Sequence, residues 1–217
     1  GEWVQVGLPP GTNAYHVVAS KNGYSTDQTY PLTVANPNPT NPDPTILAGV
    51  VTNVPLQIDL LSNLTIKTLD NFCQPINGIG VQTIGAKTIG TNPMVYKFDQ
   101  TNTSGPASFP AGQIVYSNIE WDTYTPALTT STLQTYNIKG TSPIQKIDVL
   151  PATAQTFSII LTPSSNNSLL VIVKDATTKA PLEGATLQLQ KGGAVPQNYF
   201  GSTGGSVWAQ NDWTGGA

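Results

Sequence analysis

The side chains that could catalyse a reaction are few and scattered in this sequence. His16 is the one histidine, and the apolar residues on either side of it predict a strand with His16 on the outer face. The closest pair of acids is Glu120 and Asp122, which flank Trp121. On a strand these two would share one face, with Cβ atoms about 7 Å apart. That separation could serve glycoside hydrolysis or a weak cation site.

Both groups have a simpler interpretation, which we favour: an exposed histidine and a solvated strand face. The sequence contains no His-Glu-x-x-His motif, no nucleophile elbow, no phosphate-binding glycine loop and no Cys or His pair at zinc spacing. We therefore expect no catalytic residue, no metal and no cofactor. The sequence indicates a protein that is not an enzyme.

Aromatic side chains are the better candidates for binding. Trp121, Trp208 and Trp213 could contact a ligand or a partner, because exposed rings stack on sugars and pack against proteins; core packing is the alternative. Cys73 is the single cysteine, so no disulfide can form within the chain. We expect Cys73 to behave as a small buried or half-buried side chain.

The composition excludes several classes of partner. Charged residues make up 10% of the chain, against about 25% in ordinary soluble proteins. All nine basic residues are scattered lysines, which argues against nucleic acid as a partner. No apolar run reaches the roughly 20 residues that span a bilayer, so we expect no membrane insertion within this segment. A surface rich in Thr, Asn, Gln and Ser is typical of an extracellular or cell-surface protein.

Period-2 alternation of apolar residues is the strongest structural signal. It predicts short, half-buried strands separated by Gly, Pro and Asn clusters, and no window has helical spacing. The sequence therefore predicts an all-β fold, as a sandwich or barrel. The alternating segments are residues 15–19, 56–60, 94–98, 157–161, 169–173 and 185–189.

An internal repeat divides the chain. Residues 64–70 and 169–175 are similar apolar segments ending in Asp, and each is followed by Pro, an aliphatic residue, any residue and Gly. The offset of about 105 residues suits a seven-stranded sandwich. We predict the C-terminal half of a sandwich repeat at 1–61, a complete repeat at 62–163 and the N-terminal half of a further repeat at 167–217.

The proline- and asparagine-rich stretch 36–44 interrupts the first unit. We predict a loop between its last strands rather than a spacer between units, because the closing strand lies beyond it. The two half repeats have two explanations. Either the chain is a segment of a longer polypeptide, whose neighbouring repeats are its partners, or copies of the chain complete one another head to tail as a filament.

Two segments resemble known domains. Residues 169–189 resemble the opening hairpin of carboxypeptidase regulatory-like and Cna-B-type domains of bacterial surface proteins. Residues 7–24 are similar to the late Leu-Pro-Pro-Gly segment of those domains, with Asn13-Ala14 as an insertion, whereas the counterpart at 119–124 lacks the Pro and Gly. The resemblance implies tandem immunoglobulin-like, or prealbumin-like, β-sandwiches.

The same resemblance sets the expected function. Such domains serve as stalks, spacers or adhesin modules, so we expect a structural repeat segment of an extracellular stalk, fibre or pilus-like protein. The alternative is an adhesin or carbohydrate-binding module of a secreted bacterial protein, with surface glycans as partners. An aromatic platform on one loop surface would favour the alternative.

Overall fold

Strands make up nearly all the regular structure of the chain. The computed structural model describes residues 1–100, 110–144, 146–164, 171, 173–180, 182, 184–191 and 197–202. Within these residues the one α-helix, α1, is the single turn Thr130–Leu133, and a 3-10 turn covers Pro110–Gly112. The all-β prediction is confirmed. The strands are β1 (Val18–Ala19), β2 (Asp27–Gln28), β3 (Ser62–Leu69), β4 (Val81–Gly85), β5 (Thr88–Thr91), β6 (Met94–Tyr96), β7 (Gln113–Ile119), β8 (Asp122–Leu128), β9 (Tyr136–Ser142), β10 (Ile147–Val149), β11 (Ala154–Pro163), β12 (Thr186–Lys191) and β13 (Gln197–Ser202).

Two sheets form the central part of the molecule. One has four strands in the order β7-β3-β11-β9, and the other has three in the order β10-β8-β4. All neighbours are antiparallel except β3 and β11, which pair in parallel from Asn63↔Ala154 to Leu69↔Ile160. Strands β3 and β11 are far apart in sequence, so their pairing joins the first and the last strand of the segment 62–163.

Both sheets contribute to a single hydrophobic core. Leu64 and Ile66 of β3 point into it together with Phe157, Ile159 and Leu161 of β11, which confirms the alternation predicted for 157–161. Because residues of both sheets meet in one core, the two sheets have a sandwich-like character. Burying one large apolar side chain in this core stabilises the fold by about 1.5–3 kcal/mol. The core residues are Leu64, Ile66, Ile79, Val81, Ile119, Tyr124, Leu128, Ile147, Val149, Phe157, Ile159 and Leu161.

Residues 1–61 add nothing to that core. Four residues of this segment are buried, and all four are polar: Ser25, Thr29, Asn36 and Asp43. Ten of its large apolar side chains are exposed. Hydrogen bonds and ion pairs hold the segment, and its apolar side chains are at most half-buried. The exposed apolar residues are Trp3, Val4, Val6, Val18, Leu32, Val34, Leu47, Val50, Val51 and Leu60.

The strand predicted at residues 56–60 is wrong. Leu56 and Ile58 are half-buried and Gln57 between them is exposed, but only Leu60 makes a bridge to another segment. The amides bond to side chains instead: Gln57 N donates to the Asp27 carboxylate (2.7 Å) and Asp59 N to Ser25 Oγ (3.1 Å). Because side chains satisfy these donors, the segment stays extended without a neighbouring strand. Residues 15–19 also alternate, but β1 covers only their last two.

The proline-rich stretch is folded onto the edge of β5. Residues 36–41, which we name the proline strap, run antiparallel to that strand, with a bridge at Pro39. Thr40 N donates to Ile89 O (3.0 Å), and Thr91 N donates to Asn38 O (2.9 Å). Proline tolerates this place because an edge needs only some of its amides. The strap thereby covers an edge that would otherwise be open to other chains.

An Asp-centred turn follows β3. Asp70 Oδ1 accepts hydrogen bonds from the amides of Phe72 and Gln74, both at 2.8 Å. Ile76 N then donates to Thr68 O (2.8 Å), which closes the turn before Gly78 with its positive φ of 74°. Asp favours such turns because its carboxylate replaces backbone acceptors.

The same turn is built a second time. Asp175 Oδ1 accepts from the amides of Thr177 (2.9 Å) and Thr178 (2.7 Å). Leu182 N donates to Val173 O (3.0 Å), as Ile76 does to Thr68, and Gly184 has a φ of 69°. The second turn is one residue longer between its Asp and its Pro.

The C-terminal hairpin consists of β12 and β13, paired antiparallel from Thr186↔Ser202 to Lys191↔Gln197. Strand β12 confirms the strand predicted at 185–189. The strand predicted at 169–173 lies mostly outside the described residues, and Val171 and Val173 belong to no assigned strand. The domain boundaries at 61, 163 and 167 stay a prediction.

Candidate functional site

The acids Glu120 and Asp122 do not lie on one strand. Strand β7 ends at Ile119 and β8 begins at Asp122, so Glu120 and Trp121 form the connection between the strands. The prediction of a solvated strand face is therefore wrong. The two carboxylates have different partners: Glu120 contacts two lysine side chains, and Asp122 accepts backbone amides.

Glu120 holds two lysines. Its Oε1 is 2.7 Å from Lys87 Nζ and its Oε2 is 2.6 Å from Lys97 Nζ. The Glu120 side chain is 15% exposed and each lysine 24%. Lys97 also donates to Thr26 O (3.0 Å) and lies 4.0 Å from Asp27 Oδ1. These contacts connect the N-terminal segment to the turn before β8, and we call Asp27, Lys87, Lys97 and Glu120 the charged cluster.

Trp121 lies beside the charged cluster. Lys87 Nζ stands 3.1 Å from the centroid of its ring, a cation–π contact. The Trp121 Nε1–H is buried and has no acceptor. An unpaired buried donor costs about 1–3 kcal/mol.

Asp122 has a structural role. Its carboxylate accepts the backbone amides of Lys87 (3.0 Å) and Thr123 (2.7 Å). Gly85 faces it so closely that a Cβ there would overlap the carboxylate. Asp122 thus fixes the start of β5 against β8.

Tyr124 is hydrogen-bonded to the turn before β8. Its hydroxyl donates to Glu120 O (2.7 Å), and Phe98 meets its ring edge to face with centroids 5.1 Å apart. Burial, followed by the charges of Asp122 and Glu120, raises the pKa of Tyr124 far above its usual value. The hydroxyl therefore stays protonated near neutral pH and can donate to Glu120 O.

An open pocket of about 230 Å³ lies against the charged cluster. Its walls come from β2 and the residues after it, the proline strap, Gln57, β5 and Trp121. Burial raises the pKa of Tyr30, one of its wall residues, so this hydroxyl also stays protonated. The lining residues are Asp27, Gln28, Tyr30, Thr40, Asn41, Gln57, Lys87, Thr88, Ile89, Lys97, Glu120 and Trp121.

His16 is exposed, as predicted, but it has a partner that the sequence did not reveal. Its Nδ1 lies 3.1 Å from Asp43 Oδ1. The buried Thr29 hydroxyl donates to the same oxygen (2.6 Å), and Val17 N donates to Thr29 Oγ1 (3.0 Å). The acid, not the histidine, is the centre of this group, so it is not a nucleophile–base–acid relay.

Cys73, the remaining predicted residue that the structure describes, does not line the open pocket. Trp3 is 79% exposed in the N-terminal segment, and Trp208 and Trp213 lie outside the described residues. Cys73 was expected to be buried or half-buried and is instead exposed. It occupies the tip of the Asp70 turn with a φ of 60°, where no apolar neighbour covers it.

Metal and membrane sites are not seen in the described part of the chain. No three His, Cys, Asp or Glu side chains of the described residues gather into a metal-binding group. Among the same residues, no helix is long and apolar enough to cross a membrane.

Comparison with known proteins adds no relative. No protein-family model matches this chain, and no curated protein matches it at a significant level. The resemblance to carboxypeptidase regulatory-like and Cna-B-type domains therefore stays a prediction from the sequence.

Sequence reasoning identified Glu120 and Trp121 but missed both lysines. Lys87 and Lys97 lie on either side of the β5–β6 hairpin, and the fold of that hairpin decides that they meet Glu120. Their one signal in the sequence is rarity, since only 10% of the residues are charged.

Proposed function

We propose that this chain is a structural repeat segment of an extracellular cell-surface stalk, fibre or pilus-like protein. Its units are immunoglobulin-like or prealbumin-like β-sandwiches, and its partners are neighbouring repeats or other copies of itself. The proposal assigns no catalytic residue. The observation that carries it is the turn that the chain builds twice.

The repeated turn supports a tandem architecture. Asp70 and Asp175 each accept two amides, and each turn ends at a glycine with positive φ, Gly78 and Gly184. In the central part this turn leads from β3 to β4, one strand in each sheet. A second copy of the same opening turn is the start expected of a second sandwich.

The exposed apolar residues of 1–61 support neighbouring repeats as partners. Val34 and Val51 are 100% and 93% exposed, whereas the segment buries only polar residues. Contiguous apolar surface is typical of a contact with another protein surface, and we propose such a contact for these side chains. A preceding sandwich repeat, or a second copy, would cover it.

The association can be tested by sedimentation of the full chain over a range of concentrations. We expect concentration-dependent association, and we expect Val51→Lys to weaken it because a charge would be buried in the contact. Thr125→Lys, at an exposed position of β8, is the matched control and should leave association unchanged. A monodisperse monomer at high concentration would contradict partner copies.

The location can be tested on intact source cells. An antibody raised against the folded chain should label the cell surface without permeabilisation. Labelling that appears only after permeabilisation would overturn the extracellular proposal, whatever the outcome of sedimentation.

A further inference from the structure

We infer that the pocket between the proline strap and Trp121 binds a single neutral sugar ring. This inference is independent of the stalk proposal, because it concerns one pocket and not the association of units. It begins from how the pocket is made. Its walls come from residues 27–57 on one side and 87–121 on the other, so it exists only when the N-terminal segment is docked.

Charge balance selects a neutral ligand. The charged side chains that line the pocket are Asp27, Lys87, Lys97 and Glu120, which give two positive and two negative charges. Each lysine is within 2.7 Å of a Glu120 oxygen. A charged ligand would lose hydration without gaining an unpaired opposite charge, and this loss is unfavourable.

The neutral lining residues match a polyhydroxylated ring. Tyr30 offers apolar surface for the C–H groups of such a ring, and so does the part of the Trp121 ring that the Lys87 ammonium does not cover. Gln28, Asn41 and Gln57 add amides, which donate and accept as sugar hydroxyls do. Asn41 Nδ2 already donates to Gln28 O (3.3 Å), so the exposed Gln57 side chain is the amide that a purely apolar ligand would desolvate without offering it a hydrogen bond. The charge balance disfavours a charged ligand.

The size of the pocket limits the ligand to one ring. Its volume of about 230 Å³ is below the roughly 300–1,000 Å³ of pockets for drug-sized molecules. The pocket is also open, so one sugar could belong to a longer glycan whose remaining residues stay in solvent. The orphan Trp121 Nε1–H lies beside this site, which makes its resonance a local reporter.

The test is a titration of the full-length, ¹⁵N-labelled chain with glucose, galactose, mannose and N-acetylglucosamine, followed by the indole N–H signals. Trp121→Phe identifies the Trp121 signal by its disappearance. We expect at least one neutral sugar to shift that signal saturably, with a Kd of about 1 mM or weaker, as single sugars bind weakly. Glucuronate and glucosamine are the charged probes, and each should bind at least about tenfold more weakly than the best neutral sugar.

A matched pair of variants locates the site. Gln57→Ala should weaken binding by about threefold to tenfold, about the effect of one hydrogen bond. The fold should survive, because the backbone N–H of Gln57, and not its side chain, donates to Asp27. Gln113→Ala, exposed on β7, should change nothing. No saturable shift with any of the four neutral sugars, tighter binding of a charged probe, or equal effects of the two variants would overturn the inference.

Discussion

The charged cluster predicts a large loss of stability when Glu120 becomes glutamine. Each Glu120 oxygen accepts one ammonium, from Lys87 at 2.7 Å and from Lys97 at 2.6 Å. In Glu120→Gln, one lysine can still donate to the amide oxygen, whereas the other faces an N–H donor. The variant therefore lacks one charge-assisted hydrogen bond. It leaves the mostly buried Lys87 ammonium without a counter-charge and Lys97 with only the Asp27 carboxylate, 4.0 Å away.

The magnitude follows from burial. A hydrogen bond to a charged group contributes about 1.5–3 kcal/mol, and breaking a buried pair from one side costs about 3–5 kcal/mol. Because the lysines are 24% exposed, water recovers part of this energy. We expect the free energy of unfolding to fall by about 2–4 kcal/mol in Glu120→Gln.

The assay is urea unfolding of the full chain at pH 7, followed by far-UV circular dichroism and by tryptophan fluorescence. Lys97→Met in the Glu120→Gln background completes a double-mutant cycle. Because Lys97→Met removes the ammonium that has lost its Glu120 partner, the double variant should be more stable than the summed effects of Glu120→Gln and Lys97→Met predict, by about 1–2 kcal/mol. Glu2→Gln, at an exposed position, is the control and should stay within about 0.5 kcal/mol of the parent. A loss below about 0.5 kcal/mol for Glu120→Gln would show an ordinary surface ion pair and refute the reasoning.

Three further perturbations test other parts of the structure. Gly90→Ala should loosen the proline strap and speed its amide hydrogen exchange, because a Cβ would overlap the Asn36 side chain; unchanged exchange would contradict the docking. Phe157→Ala, at a fully buried core position, should lower the free energy of unfolding by about 3–5 kcal/mol in urea, whereas Val115→Ala, 50% exposed on β7, should cost far less. Hydrogen bonds from the backbone amide and the hydroxyl of Thr178 lower the pKa of Asp175. The turn at Asp175 should therefore be intact above the pKa of an unfolded aspartate and be lost as the pH falls through the lowered pKa. A ¹³C-detected titration midpoint at the ordinary aspartate value would be evidence against the second turn.

The sequence predicted those strands that have one apolar face toward the core and one polar face. In β11 the alternation of Phe157, Ile159 and Leu161 reflects a core on one side, and all three are at most 1% exposed. Period-2 alternation records which face is apolar, but it does not record which backbone is the neighbour. For this reason residues 56–60 alternate without being a strand, and the parallel pairing of β3 with β11 could not be read from the sequence.

The proline strap shows a second limit. Prolines at alternate positions argue against a strand, and they predicted a loop at 36–44. The strap nonetheless adds to β5, because Asn38 O and Thr40 N, on either side of Pro39, supply the hydrogen bonds that Pro39 cannot. Local propensity excluded a central strand correctly, but it could not anticipate pairing with an edge.

The candidate site was predicted only in part for a related reason. Glu120 and Trp121 are neighbours in sequence and could be noticed together. Their partners arrive from the N-terminal segment and from the β5–β6 hairpin, through contacts that span 33 residues for Lys87 and 71 for the bond from Lys97 to Thr26. No local pattern encodes contacts at such separations.

The scarcity of charge gives the charged cluster a meaning beyond stability. In a chain with 10% charged residues, Asp27, Lys87, Lys97 and Glu120 meet where the N-terminal segment contacts the central sheets. Mostly buried ion pairs add little net stability compared with apolar packing, but they favour one arrangement over others, because a misplaced partner leaves a charge unpaired. Residues 1–61 bury no apolar side chain that could set their position. The charged cluster, together with the proline strap, therefore sets how the N-terminal segment sits on the β5–β6 hairpin and beside the turn before β8. In the proposed stalk the same contacts would fix the angle between one unit and the next.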